Sequence, residues 1–201
     1  RLIDLCCGTG ASTRALARHV PNGSVIGVDF SQAMLEVAQR RPLPNLSYQQ
    51  ADVLQLPFPD ATFDGASMAF SMRNVVDIGA CLREIARVLK PGGRFVNLEV
   101  NKPAQPLLRR LFFIYFYGVI PTVGGLVGGD ANAYRYLPQS LINFPGGEAL
   151  AELFRANGFA HVRTASLMGG VAAVHAGESI GAAATHPAPA YAASPLSASP
   201  A

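Results

Sequence analysis

The segment Leu2-Ile3-Asp4-Leu5-Cys6-Cys7-Gly8-Thr9-Gly10 sets a short apolar run against two glycines, and a helical stretch from about Ala11 to Val20 follows at once. Glycine at both positions allows a sharp turn and lets backbone N–H groups at a helix N-terminus approach a ligand. A strand that feeds a helix in this way is the opening of a βαβ unit, so residues 2–20 already confine the chain to an α/β fold.

The alternation then repeats. Ser24–Val28 reads as a second strand, and Ser31 caps a helix with Met34, Leu35 and Ala38 on one face, stopped near Pro42. Leu46–Gln50 and Phe63–Phe70 are strands three and four. Asp77 caps a helix whose apolar face is Ile78, Leu82, Ile85 and Leu89, ended by Pro91-Gly92-Gly93. Arg94–Val100 is strand five, and Gly146–Asn157, closed by Gly158, is the last clear helix. Phe159–Leu167 and Val171–His175 flank Met168-Gly169-Gly170 as a terminal antiparallel hairpin. The expected architecture is a Rossmann-like α/β fold, a mostly parallel seven-stranded sheet with that hairpin at its end, in one domain over residues 1–176. Residues 177–201 are rich in Ala, Pro and Ser, almost uncharged, and are expected to form a disordered tail.

At 201 residues the chain suits one such domain. Its net charge is only +3, with 16 Lys and Arg scattered along the chain, which argues against nucleic acid as a partner. Three cysteines without metal spacing predict neither a disulfide framework nor a metal site and point to a reducing, cytoplasmic compartment. No window holds the roughly eighteen uninterrupted apolar residues of a membrane span. The chain opens without Met, directly inside a strand, which is read as the absence of an N-terminal segment.

Gly8-Thr9-Gly10 alone is a weak signal, since a tight turn without a ligand also uses glycine. Asp29 strengthens it. It ends the second strand, 21 residues after Gly8, where a carboxylate can accept both ribose hydroxyls of a nucleoside; the alternative for Asp29 is a helix N-terminal acid. Thr13 stands where a dinucleotide loop would carry its third glycine. A second acid, Asp52, follows the third strand and can accept an adenine amino group, with Phe30 and Val53 as apolar faces for the ring. Two acids suit a positive sulfonium better than a pyrophosphate, so S-adenosyl-L-methionine is the expected cofactor and the fold that of a class I methyltransferase.

At this point the chain is similar to the UbiE/MenG family of ubiquinone/menaquinone biosynthesis C-methyltransferases, from Leu2 to about Gly177. The resemblance rests on Leu5-Cys-Cys-Gly-Thr-Gly10, Gly27-Val-Asp-Phe-Ser31, Leu56-Pro-Phe-Pro-Asp60, Arg73-Asn-Val-Val-Asp77, Arg87-Val-Leu-Lys-Pro-Gly-Gly93, Tyr134-Arg-Tyr-Leu137 and Gly169-Gly-Val-Ala-Ala-Val-His175. It implies cofactor contacts at Thr9, Asp29, Asp52 and Val53; Asp4, Gly8, Gly10, Phe30, Met34 and Ala69 complete the candidate cofactor-binding set, and family members often have serine at the position of Ala69. It implies C-methylation of a prenylated quinol ring, demethylmenaquinol in particular. Other readings are a methyltransferase for another small apolar acceptor and a cofactor-binding remnant without turnover. Homodimerisation stays open.

The family assigns stabilisation of the ring phenolate to the residues matching Arg73 and Asn74. A guanidinium with a pKa above about 12 is no base, so the expected role of Arg73 is a fixed cation that lowers the hydroxyl pKa, with Asn74 holding the ring oxygen. The alternative is an ion pair of Arg73 with an acid such as Asp77. His175 reads as a core or rim histidine, and Glu99 stays unassigned. Leu107–Val127, with Arg109 and Arg110 before the apolar run Leu111–Ile120, reads either as a buried helix or as a groove for the prenyl tail at a membrane surface.

Overall fold

The computed structural model describes residues 1–101, 103, 105–114 and 144–181. Seven strands, β1 (Leu2–Leu5), β2 (Val25–Asp29), β3 (Leu46–Gln50), β4 (Phe63–Ala69), β5 (Leu89–Val100), β6 (Phe159–Leu167) and β7 (Ala172–Ser179), form one sheet of order β3-β2-β1-β4-β5-β7-β6. The first five run parallel; β7 pairs antiparallel with β5 and β6, so the mostly parallel sheet with a terminal hairpin is as expected. Among the described residues the α-helices are α1 (Ala11–His19), α2 (Gln32–Gln39), α3 (Ile78–Val88), α4 (Pro106–Ile114) and α5 (Gly147–Ala156).

Local chemistry accounts for most boundaries. Ser31 accepts the Met34 N–H at 3.4 Å and Asp77 the Ala80 N–H at 2.9 Å, so both expected N-caps satisfy an otherwise orphaned helix amide. β1 and β2 are buried along almost their whole length, as parallel strands covered on both faces are, and Ile3, Leu5, Val28, Met68 and Phe95 share one core with Leu82, Ile85 and Phe154. Phe95 stacks on Phe154 with ring centroids 5.2 Å apart, tying β5 to α5.

Two expectations need correction. Leu89 does not extend α3 but starts β5, where it pairs with Phe63, and the intervening residues to Gly93 form a bulge before Arg94 pairs with Gly65. Gly92 adopts φ +78 there, which is why the Lys-Pro-Gly-Gly sequence serves the strand and not a helix stop. Residues 177–179, expected to belong to the tail, are strand instead. β7 continues through Ser179, whose buried hydroxyl donates to the Ala86 carbonyl at 3.0 Å, because Gly177 and Glu178 still have partners on β5. Residues 182–201, Tyr134–Leu137 and most of the Leu111–Ile120 run lie outside the described residues.

Tyr48 of β3 explains two glycines. A Cβ at Gly27 would sit 2.8 Å from the Tyr48 ring and 2.9 Å from Cys7 Sγ, and one at Gly10 would meet the Tyr48 hydroxyl. The ring therefore wedges the glycine loop against β2. Gly27→Ala is expected to destabilise the fold by about 1–3 kcal/mol through overpacking, and Tyr48→Val in the same chain to restore part of that loss, as read from urea midpoints.

Candidate functional site

Because β1 to β5 run parallel, their C-terminal ends lie along one edge of the sheet, and the order changes direction between β1 and β4. Such a switch point leaves a crevice in which α/β sheets bind ligands. The loops after β1, β2, β3 and β4 all open there, bringing Gly8–Gly10, Phe30, Asp52 with Val53, and Arg73 with Asn74 to one edge.

Asp4 lies under the loop rather than on its rim. Its carboxylate is 1% exposed and accepts hydroxyls from Ser12 at 2.7 Å, Thr13 at 2.8 Å and Ser67 at 2.6 Å. One side chain thus joins β1, the first turn of α1 and β4. Above it, Gly8 (φ +53) and Gly10 (φ +75) are left-handed, as is Cys6 (φ +52), where an L side chain is strained. Thr9 is exposed, and its carbonyl accepts from Arg14 at 2.9 Å.

Asp29 reaches back to this loop. Its Oδ2 accepts the Gly8 N–H at 2.7 Å and its Oδ1 the Ser31 N–H at 2.9 Å. Each oxygen keeps a lone pair, so the carboxylate both fixes the loop and can still accept a ligand hydroxyl. Beside it Phe30 is 74% exposed and Met34 is 47% exposed, large apolar surfaces at the mouth of the crevice. Asp52 is exposed, its Oδ1 accepting the Leu54 N–H at 2.9 Å, and Val53 is half-buried against the core. Ala69 ends β4 beside Leu98, and its carbonyl accepts the Ser71 hydroxyl at 3.1 Å.

Beyond β4, Phe70 adopts φ +57 and a short 3-10 turn, Met72–Asn74, follows. Asn74 is exposed, whereas the Arg73 side chain is only 8% exposed. Arg73 Nη1 donates to Glu99 Oε1 at 2.5 Å and to the Phe70 carbonyl at 2.5 Å, and the Arg73 backbone N–H donates to Glu99 Oε2 at 3.2 Å. Arg73 is therefore in an ion pair, but with Glu99; Asp77 caps α3.

Glu99 and Ser67 went unassigned in the sequence. Glu99 falls on the inward side of β5 with Phe95 and Asn97, and an inward acid signals a buried cation; its identity, 26 residues earlier, needs the fold. His175, opposite Asn97 on β7, is buried and donates from Nε2 to the Gly147 carbonyl at 2.8 Å, with its pKa pushed down by burial. It sits in the core, not the crevice. Cys6 and Cys7 are pushed up to about 12 by burial and by the nearby Asp29 and Asp4 carboxylates, which leaves both as inert thiols at neutral pH. Among the described residues no cluster of His, Cys, Asp and Glu could hold a metal ion.

Set beside known proteins, residues 1–179 match the ubiE/COQ5 methyltransferase family. A demethylmenaquinone methyltransferase of Staphylococcus aureus (strain JH9) is 43% identical over 180 residues, covering 88% of this chain and 75% of the relative. In fold, the chain resembles a putative methyltransferase solved in complex with the Haloferax volcanii Trm112 activator, with a TM-score of 0.68 and 20% identity over 89% of this chain and 81% of that one. It also resembles a Thermotoga maritima SAM-dependent methyltransferase, described as a possible histamine N-methyltransferase, with a TM-score of 0.62 and 22% identity over the same shares.

Proposed function

Since this chain belongs to the ubiE/COQ5 methyltransferase family, we propose that it methylates a ring carbon of a prenylated quinol, demethylmenaquinol, in menaquinone biosynthesis, with S-adenosyl-L-methionine as donor. The observation that carries this reading is the placement of a buried, paired arginine at the end of β4, one strand from a glycine loop with an acidic rim.

The residues present fit the cofactor. A Cβ at Gly8 would meet no heavy atom within 4 Å, so the loop leaves room for close approach of a ligand. Asp29 would accept the ribose hydroxyls and Asp52 the adenine amino group, and Phe30 and Val53 would flank the ring. Met34, Thr9 and Gly10 line the path, Ala69 closes the β4 side, and Asp4 holds the loop from beneath. When bound, S-adenosyl-L-methionine supplies an electrophilic methyl group.

The acceptor carbon becomes nucleophilic as the neighbouring ring hydroxyl loses its proton. Arg73 cannot take that proton; it stabilises the oxygen that remains while the proton passes to water. The ring carbon would take the methyl group as the methyl–sulfur bond breaks and S-adenosylhomocysteine leaves; loss of that carbon's hydrogen to water and reprotonation of the oxygen then restore the quinol. Asn74 offers an exposed amide to the same oxygen. Incubation with demethylmenaquinol and the donor is expected to yield menaquinol, detected by mass spectrometry. Methylation of a simple phenol or sterol with demethylmenaquinol left untouched would point to another apolar acceptor instead. No methylated product from any acceptor, with cofactor still bound, would mark a remnant.

Asp29→Asn should raise the dissociation constant for S-adenosyl-L-methionine by about 1–3 kcal/mol in free energy, since it weakens charge-assisted bonds to two hydroxyls. Calorimetric titration checks this, and an unchanged affinity would refute the rim geometry.

For the prenyl tail we propose peripheral contact of α4 with the cytoplasmic face of a membrane. No helix among the described residues is long and apolar enough to cross one. On α4, Leu107 is 73% and Ile114 56% exposed, Arg109 and Arg110 are exposed, and Phe112 is buried. A tail already dissolved in lipid gains little by entering protein, since about 0.8 kcal/mol per carbon accrues only on leaving water. Exposed apolar residues beside two arginines suit a surface dock at anionic lipid. Leu107→Gln with Ile114→Gln is expected to reduce flotation with anionic liposomes while the melting temperature holds; unchanged flotation would count against the contact.

A further inference from the structure

We propose that Glu99 is a positioning residue for methyl transfer, fixing the Arg73 guanidinium so that part of its donor fork stays available to the substrate oxygen. This rests on the reading of Arg73 as the cation that stabilises the ring oxygen. Glu99 is 1% exposed on β5 and grips Arg73 at two points: Oε1 accepts Nη1 at 2.5 Å, and Oε2 accepts the Arg73 backbone N–H at 3.2 Å. Oε1 is itself held by the Val100 N–H at 3.0 Å, so the carboxylate is anchored to its own strand. The Phe70 carbonyl, turned by a left-handed residue, takes Nη1 as well.

All these bonds use Nη1 or the backbone. The Nε–H and the two Nη2–H donors make no hydrogen bond to the described residues, so the described residues clamp a planar fork along one side and leave its other three donors to an oxygen. A flexible arginine without this clamp would have many rotamers and a strong preference for water. Burial at 8% exposure is tolerated because a carboxylate compensates the charge.

The clamp has an electrostatic consequence that makes the idea testable. A carboxylate beside the guanidinium weakens the field that Arg73 exerts on a nearby phenolate. If Arg73 acted through charge alone, neutralising Glu99 would speed the reaction. If Glu99 acts by holding geometry, neutralising it slows the reaction.

The experiment compares the full chain with Glu99→Gln, Arg73→Met and the double variant, following turnover of demethylmenaquinol, calorimetric affinity for S-adenosyl-L-methionine, and thermal unfolding. Glu99→Gln is expected to lower kcat about tenfold or more, because a small misplacement of a catalytic group is enough for that. Cofactor affinity should stay within about twofold, and in the Arg73→Met background Glu99→Gln should cost nothing further, since it acts through Arg73. Where a variant fails to fold, Glu99→Asp, which keeps the charge with a shorter reach, or Arg73→Lys takes its place in the same cycle. A kcat that rises or holds in folded Glu99→Gln overturns the proposal, as does an independent loss in the Arg73→Met background. An Arg73→Met variant with full turnover overturns the role given to Arg73 and the Glu99 proposal with it. A dead Arg73→Met beside an unimpaired Glu99→Gln overturns the Glu99 proposal alone.

Discussion

The buried carboxylate of Asp4 organises the crevice edge. A carboxylate taken out of water must find donors or lose several kcal/mol, and here three hydroxyls supply them, from Ser12 and Thr13 on α1 and from Ser67 on β4. The result is more than satisfaction of one group. The strand before the glycine loop, the helix after it and the neighbouring strand at the switch point are pinned together, so the loop has little freedom to collapse into the crevice. Tyr48 and Asp29 complete the restraint, one by filling the space that glycine leaves, the other by taking the Gly8 N–H.

The two ends of the site use charge differently. On the β2 and β3 side, Asp29 and Asp52 stand partly in water. On the β4 and β5 side, a cation and an anion are buried together, and their mutual attraction offsets a desolvation cost that either alone could not bear. In the proposed function, the acidic rim meets a positively charged donor and the held guanidinium meets an oxygen that gains negative charge. The thiols of Cys6 and Cys7, though close to the loop, are held protonated by burial and by the same acids.

Left-handed backbone recurs where the strands end. Cys6, Gly8 and Gly10 after β1 and Phe70 after β4 all have positive φ. For Cys6 and Phe70 that conformation carries strain, which the surrounding hydrogen bonds must hold. It turns the Phe70 carbonyl toward Arg73 and the loop amide of Gly8 toward Asp29, so strain in two short connections aligns both halves of the crevice.

Strand and helix order, the caps at Ser31 and Asp77, and the glycine loop with Asp29 at its proper distance were legible in the sequence, because each depends on residues close together or on a short hydrophobic period. The bulge at Lys90–Gly93 and the length of β7 were not, since pairing with a neighbouring strand decides whether a glycine-rich stretch stops a helix or bends a strand. The same holds for the charges. That Arg73 would find an acid could be expected from its type alone. That the acid is Glu99 and not Asp77, four residues away, was settled by parallel pairing of β4 with β5, which brings positions 26 apart within a hydrogen bond. Short-range chemistry is written along the chain, whereas the partner of a buried charge is chosen by which strands lie side by side.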